Sequence, residues 1–141
     1  MQRVTNARVD VDGQTVGEIG RGLLVLVAVH RDDSERDVAR LAERILSYRV
    51  FPDEEGRMNR SVLDEKGGLL LVPQFTLAAD TRKGRRPSFS TAAPPDHARR
   101  MFEVLLGVAR HRQPGVQSGR FGADMQVSLT NDGPVTFWLQ V

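Results

Sequence analysis

The chain contains no cysteine, which excludes a disulfide framework, a thiolate zinc site and a cysteine nucleophile together. Lysine is nearly absent: Lys66 and Lys83 are the only two, so arginine supplies 18 of the 20 basic residues. The longest unbroken apolar run, Leu23 to Val29, is far too short to span a bilayer. The opening residues Met1-Gln2-Arg3-Val4-Thr5 lack the apolar core of a secretory signal. No GxGxxG, Walker loop, HExxH or GxSxG is present, which removes the common nucleotide, zinc-protease and serine-hydrolase signatures. His30, His97 and His111 are scattered without ligand spacing and read as ordinary surface histidines. The paired acids Asp53-Glu54-Glu55 read as a solvated turn. An enzyme with this sequence does not work through familiar side-chain machinery.

What is there fits one globular domain covering 1–141, expected to be soluble and cytosolic. The chain is 40% hydrophobic and 27% charged, with a net charge of +2, too mild to predict nucleic-acid binding by itself. Val4, Val9 and Val11 lead to Asp12-Gly13, a type I′ hairpin signal because that turn needs positive φ at both central residues. The return strand covers Gln14 to Ile19, and Leu23 to Val29 reads as a strand buried on both faces. Ser34 with Asp37 forms a variant of the capping box, and Val38, Leu41, Ala42, Ile45 and Leu46 mark one helical face. Asp53 to Asn59 is expected as a polar turn. A second buried run, Leu69 to Val72, leads into Pro73-Gln74-Phe75-Thr76-Leu77. A loop from Ala78 to Pro95 precedes a second amphipathic helix carrying Ala98, Met101, Phe102, Leu105, Leu106 and Ala109. Three short strands are expected to close the chain, near 116–119, 126–131 and 135–139. The fold class is α+β: a mainly antiparallel, barrel-like sheet with two packed amphipathic helices.

Three local features carry potential chemistry. Arg82-Lys83-Gly84-Arg85-Arg86 places four cations in five positions, which could hold phosphates or simply be solvated. Gln74-Phe75-Thr76 lies at the exit of a buried strand, where backbone N–H groups can point into a cleft; taken alone it is an ordinary strand end. Gly133-Pro134 lies between two apolar segments, and X-Pro is the one bond where a cis peptide is cheap. By residue type alone it is a hairpin turn.

These segments resemble the D-aminoacyl-tRNA deacylases of the bacterial and eukaryotic type. The likeness runs nearly end to end, through Gln2-Arg3-Val4, Gly20 to Leu26, Gln74 to Leu77, Arg85 to Phe89, Gly119 to Leu129 and Asn131 to Thr136. The resemblance implies hydrolysis of the ester between a D-amino acid and the 3′ adenosine of tRNA, and removal of glycine from alanine tRNA. It implies a homodimer in which the Gly-Pro motif of one subunit enters the active site of the other. Gly133-Pro134 would then be cis, with Asn131, Thr136 and Arg3 around it, Arg3 bracing the turn. Its carbonyl oxygens would hold the α-amino group and leave no room for an L side chain. The N–H groups around Phe75 and Thr76 would stabilise the oxyanion, Gln74 would shape the pocket, and the substrate's own 2′-hydroxyl would help activate water. A competing mechanism makes the Thr76 hydroxyl a nucleophile. Phe121 and Met125 would line the adenosine side, and Arg82, Lys83, Arg85 and Arg86 would contact the tRNA acceptor end. The resemblance implies no metal and no cofactor.

Two departures stand out. Pro73 replaces the serine usual before Gln74, removing an N–H and a hydroxyl. A related animal branch with relaxed chirality carries proline there but lacks the Gly-Pro turn kept here, so D-selectivity is expected. The family also begins with a few more residues of first strand, so either the start is late or the first strand is shorter at an edge. The rival readings are a non-catalytic nucleic-acid-binding module, a structural assembly protein, and a deacylase with relaxed chirality.

Overall fold

A computed structural model describes residues 1–141. Strand β1 (Gln2–Val11) organises the sheet, because three other strands pair with it. It turns through Asp12 (φ 50°) and Gly13 (φ 76°) into β2 (Gln14–Ile19), as the Asp-Gly signal predicts. Residues 2–4 of β1 pair antiparallel with β3 (Gly22–Val27) on the edge that residues 7–11 share with β2. The opposite edge is taken by β8 (Gln126–Thr136). β3 continues into β6 (Gly68–Pro73) and β7 (Gln117–Ser118), completing the sheet.

The expected helices form where their caps predict. α1 (Glu35–Ser47) opens on a complete capping box: Asp37 N–H donates to Ser34 Oγ at 3.4 Å, and Ser34 N–H to Asp37 Oδ2 at 2.9 Å. The Ser34 hydroxyl and then the Ser34 N–H, both donating to Asp37 Oδ2, hold the Asp37 carboxyl below its ordinary pKa. α2 (Pro95–Arg112) starts with proline at its first position, where a missing N–H costs nothing. Neither helix is long and apolar enough to cross a membrane.

Both helices lie on one face of the sheet, so β3 and β6 bury side chains in two directions. Leu23, Val25, Leu69 and Leu71 join Ile45, Leu46, Phe102 and Leu105 under the helices. The alternating positions Leu24, Leu70 and Val72 turn inward to meet Val4, Val9 and Ile19 in the barrel interior. The strands converge tightly at Gly22. A Cβ there would lie 1.9 Å from the Gly68 carbonyl oxygen, and one at Gly68 would lie 2.7 Å from Ile19 Cβ of β2.

The sheet is mainly antiparallel, as expected, although two of its pairings, β3–β6 and β6–β7, are parallel. The helices supply the crossovers that parallel pairing requires. Two expectations change. The 53–59 turn is the tip of a small hairpin, β4 (Phe51–Pro52) with β5 (Met58–Arg60). In addition, Gly133-Pro134 does not turn the chain back. β8 is one strand, because Asn131 pairs with Val4 and Thr136 with Gln2 of the same β1. Five steps along β8 match two along β1, so residues 132–135 form a bulge. Beyond it Phe137 N–H bonds to Met1 O at 2.9 Å, and no third closing strand forms.

Gly22→Ala is expected to destabilise the fold by about 3 kcal/mol, because the added carbon meets backbone rather than a movable side chain. Gly107→Ala, in mid-helix with nothing near its added carbon, is expected to stabilise by about 0.5–1 kcal/mol. Urea unfolding of the pair measures both signs.

Candidate active site

β6 ends at Pro73, the last residue of its strand, where the absent N–H interrupts little. Gln74 N–H then bonds to Val27 O at 2.7 Å, fixing the exit of β6 against the end of β3. A single 3-10 turn, Phe75–Ala78, follows. Its first internal bond runs from Leu77 N–H to Gln74 O at 3.2 Å. The N–H groups of Phe75 and Thr76 precede that bond and so have no acceptor within the turn. Both residues are exposed, Phe75 by 61%. Two adjacent N–H groups at the start of a turn form a donor pair of the kind that stabilises an oxyanion. The Thr76 hydroxyl accepts from Gln74 Nε2 and has no hydrogen bond to a carboxylate or imidazole.

The β8 bulge is the second element. The Gly133-Pro134 bond is cis, both residues are exposed, and Gly133 has φ 140°. A Cβ on Gly133 would lie 2.7 Å from Val135 Cγ2 and 3.3 Å from Arg3 Nη2. Asn131 closes the base of the bulge. Its Oδ1 accepts from Val135 N–H at 2.6 Å, and its Nδ2 donates to Thr136 Oγ1 at 3.0 Å and Gln2 Oε1 at 3.2 Å. Arg3, with its side chain 12% exposed, donates from Nε to Asp132 O at 3.0 Å and from Nη1 to Val50 O at 2.7 Å. Arg3 thus ties the bulge to the segment after α1.

The two elements are not brought together within one chain. The bulge lies level with Arg3, which pairs with Leu23, whereas Gln74 bonds to Val27. Four residues along β3 amount to roughly 13 Å at ~3.3 Å per residue, and β8 lies on the far edge of β1 from β3.

Of the remaining candidates, Met125 is near the exit of β6: its sulfur packs against Gly119, beside Val72 and Pro73. Phe121 faces α2 instead, 6.4 Å from the Phe102 ring and beneath the Arg99 guanidinium at 4.8 Å. In the basic loop, Arg82 Nε and Nη2 chelate Asp80 at 2.9 and 2.7 Å, and its N–H adds a third bond at 3.0 Å. These bonds hold the Asp80 carboxyl far below the usual range. Lys83, Arg85 and Arg86 are exposed and have no acidic partner. Two participants escaped the reading of the sequence as site residues: Asp80, and Phe89, whose ring lies 5.1 Å from Phe75. Asp80 lies two residues before Arg82, a spacing that carries no signal outside regular structure. His30 and His97 are half-buried in loop contacts, with His97 Nε2 2.9 Å from Asp33 O.

A cavity of about 260 Å³ lies between the end of β3, α1 and residues 137–141. It shares Leu77 with the turn and is mostly apolar, lined by Val25, Val27, Ile45 and Trp138, with His30 and Asp33 among its polar residues. At its edge the Met1 ammonium donates to Phe137 O at 2.7 Å, and burial lowers its pKa.

What the turn offers is main-chain donors with no nucleophile–base pair beside them. Comparison with known proteins places the chain in a family. A family model described as D-Tyr-tRNA(Tyr) deacylase matches residues 1–140. The chain belongs to this family of hydrolases. It is 66% identical over 140 residues to a D-aminoacyl-tRNA deacylase of Alkalilimnicola ehrlichii, covering 99% of this chain and 93% of the relative. It is 61% identical to one of Pseudomonas aeruginosa, covering 99% and 97%. Among solved structures it is similar to the c-Myc DNA Unwinding Element Binding Protein, at TM-score 0.94 and 39% identity over 99% of this chain and 95% of that one. The fold is shared with a probable eukaryotic D-amino acid tRNA deacylase, at TM-score 0.83 and 18% identity over 94% and 92%.

Arg3→Met leaves two carbonyl oxygens without their donor and is expected to cost roughly 1.5–3 kcal/mol of stability. Arg3→Lys should restore only part of it, because an ammonium lacks the planar fork. An unchanged urea midpoint for Arg3→Met would show that the bulge holds itself.

Proposed function

We propose that the protein is a homodimeric editing hydrolase of the cytoplasm. In this reading it cleaves the ester of D-aminoacyl-tRNA, and of glycyl-tRNA(Ala), and leaves L-aminoacyl-tRNA intact. One observation carries the reading. A rigidly braced, exposed cis Gly133-Pro134 bulge lies about a strand's length from the donors of Phe75 and Thr76, so a second copy is needed to bring such a bulge over them.

The selection is steric. The bulge presents main-chain carbonyl oxygens to the α-amino group and leaves no space on the side where an L side chain would project. A D side chain projects away, and glycine passes because it has none. Arg3 and Asn131 hold the bulge in position, with Thr136 at its base.

Chemistry then needs little from side chains. Water, helped by the 2′-hydroxyl of the terminal adenosine, adds to the ester carbonyl carbon. The N–H groups of Phe75 and Thr76 hold the resulting oxyanion. Collapse breaks the bond to the ribose 3′ oxygen, which takes up a proton, and the amino acid leaves as its carboxylate. Loss of one oxyanion donor costs ~10²–10³ in rate in other enzymes, enough to make geometry the main catalytic asset. Gln74 holds the Thr76 hydroxyl and shapes the pocket. With an amide as its partner and no base, Thr76 lacks what activates a nucleophile. Met125 lines the adenosine side, and the basic loop faces the acceptor end.

The similarity to a protein named for binding a DNA unwinding element favours one second reading, a nucleic-acid-binding module without hydrolysis. Single-turnover hydrolysis of matched D-, L- and glycyl-tRNA, with a metal chelator present, separates the two. Release of D-amino acid and glycine with L untouched is expected. Cleavage of the L ester would mean that Pro73 has relaxed the pocket, and binding without any cleavage would favour the module. Gly133→Ala is expected to lower the D rate at least about 10²-fold through misplacement of the substrate. Thr76→Ala should keep most of its rate, and a fall to background would favour the nucleophile mechanism.

A further inference from the structure

The loop between the 3-10 turn and α2 is built more tightly than its composition suggests. Asp80 and Ser88 bridge its neck with two backbone bonds, at 2.7 and 3.0 Å. Below the neck, Thr91 Oγ1 donates to Ala78 O at 2.8 Å. One residue past the neck, Phe89 packs on Phe75, so the root of the loop touches the turn that carries the oxyanion donors. Inside the neck, Asp80 engages Arg82 through two guanidinium nitrogens and the main chain. Lys83, Arg85 and Arg86 remain, exposed and without partners. Residues 80–86 contain four cations and one carboxylate, whereas the whole chain is at +2. The rest of the molecule therefore carries a net negative charge of one, and its attraction for anions is concentrated beside the turn.

We propose that Lys83, Arg85 and Arg86 hold the phosphodiester backbone at the single-stranded 3′ end of tRNA. Arg82 makes no such contact, and is folded back by Asp80 as a strut that shapes the loop. The proposal rests on reading the turn as the site of ester hydrolysis at that 3′ end. It divides a run of four cations into three that bind and one that positions.

The test is equilibrium binding of uncharged tRNA to the full-length protein across a salt series, for the wild type, the triple variant Lys83→Gln/Arg85→Gln/Arg86→Gln, and Arg82→Gln. At ~0.7 per single-strand phosphate contact, the triple variant should lose about two from the slope of log affinity against log salt. Arg82→Gln should keep the wild-type slope. In parallel, the triple variant should lose more of its rate on subsaturating D-aminoacyl-tRNA than on 3′-D-aminoacyl-adenosine, which has no phosphate, and the cleavage that remains on the latter shows that it is folded. An unchanged slope in the triple variant overturns the proposal, as does a loss in Arg82→Gln equal to one contact. If the wild type cleaves neither ester while the triple variant still loses slope, the loop assignment stands and the hydrolase reading falls.

Discussion

The guanidinium of Arg3 joins parts of the molecule that are far apart in the chain. Its two donors end on Asp132 O in the β8 bulge and Val50 O after α1, while its backbone pairs with Leu23 of β3. A planar fork is suited to this, since one rigid group meets two acceptors at fixed angles. The bulge has few other anchors. Asn131 closes it from within, and its tip stands in solvent. Whatever Gly133-Pro134 does, its position depends on a residue at the start of the first strand.

The same strand explains why the rest of the fold is so constrained. β1 uses both edges, one for β8 and the other for β2 and β3 in succession. With no free edge on β1, the sheet curls, and β3 and β6 are left with side chains on two buried faces. One face is covered by α1 and α2 and the other by the barrel interior. The exits of β3 and β6 are thus held from both sides, which makes the turn at Phe75 and Thr76 a firm mount for main-chain donors. In the proposed reading function is borne by backbone at both sites, and backbone can be placed this closely only where packing leaves it no alternative.

Much of this was readable where the determinants are local. Ser34 and Asp37 specify their cap within four residues, and Asp12-Gly13 specifies its hairpin within two. Parallel pairing was not readable from Leu69 to Val72, because burial on two faces leaves strand direction open. Gly133-Pro134 suggested a hairpin because proline interrupts a ladder. Only the identity of the partner, β1 on both sides, makes it a bulge. The paired strands at Phe51–Pro52 and Met58–Arg60 are too short to show alternation. Counting charges found the basic loop but could not show that Asp80 has already claimed Arg82. For the candidate site, motif resemblance named the residues, while the distance between the bulge and the turn emerges only from strand register.

The pairing of Gln2 with Thr136 also bears on the order in which the molecule can assemble. It joins the two extremes of the sequence, so the outer edge of β1 stays open until nearly all of the chain is available to fold. Contacts of such long sequence separation are the slowest to form, and the bulge is set within one of them. The hairpin, the capped helices and the β3–β6 pair can form earlier, from shorter loops. The part of the protein that would discriminate substrates is therefore completed last. A newly made chain would hold most of its core before it has acquired the feature proposed to make it selective.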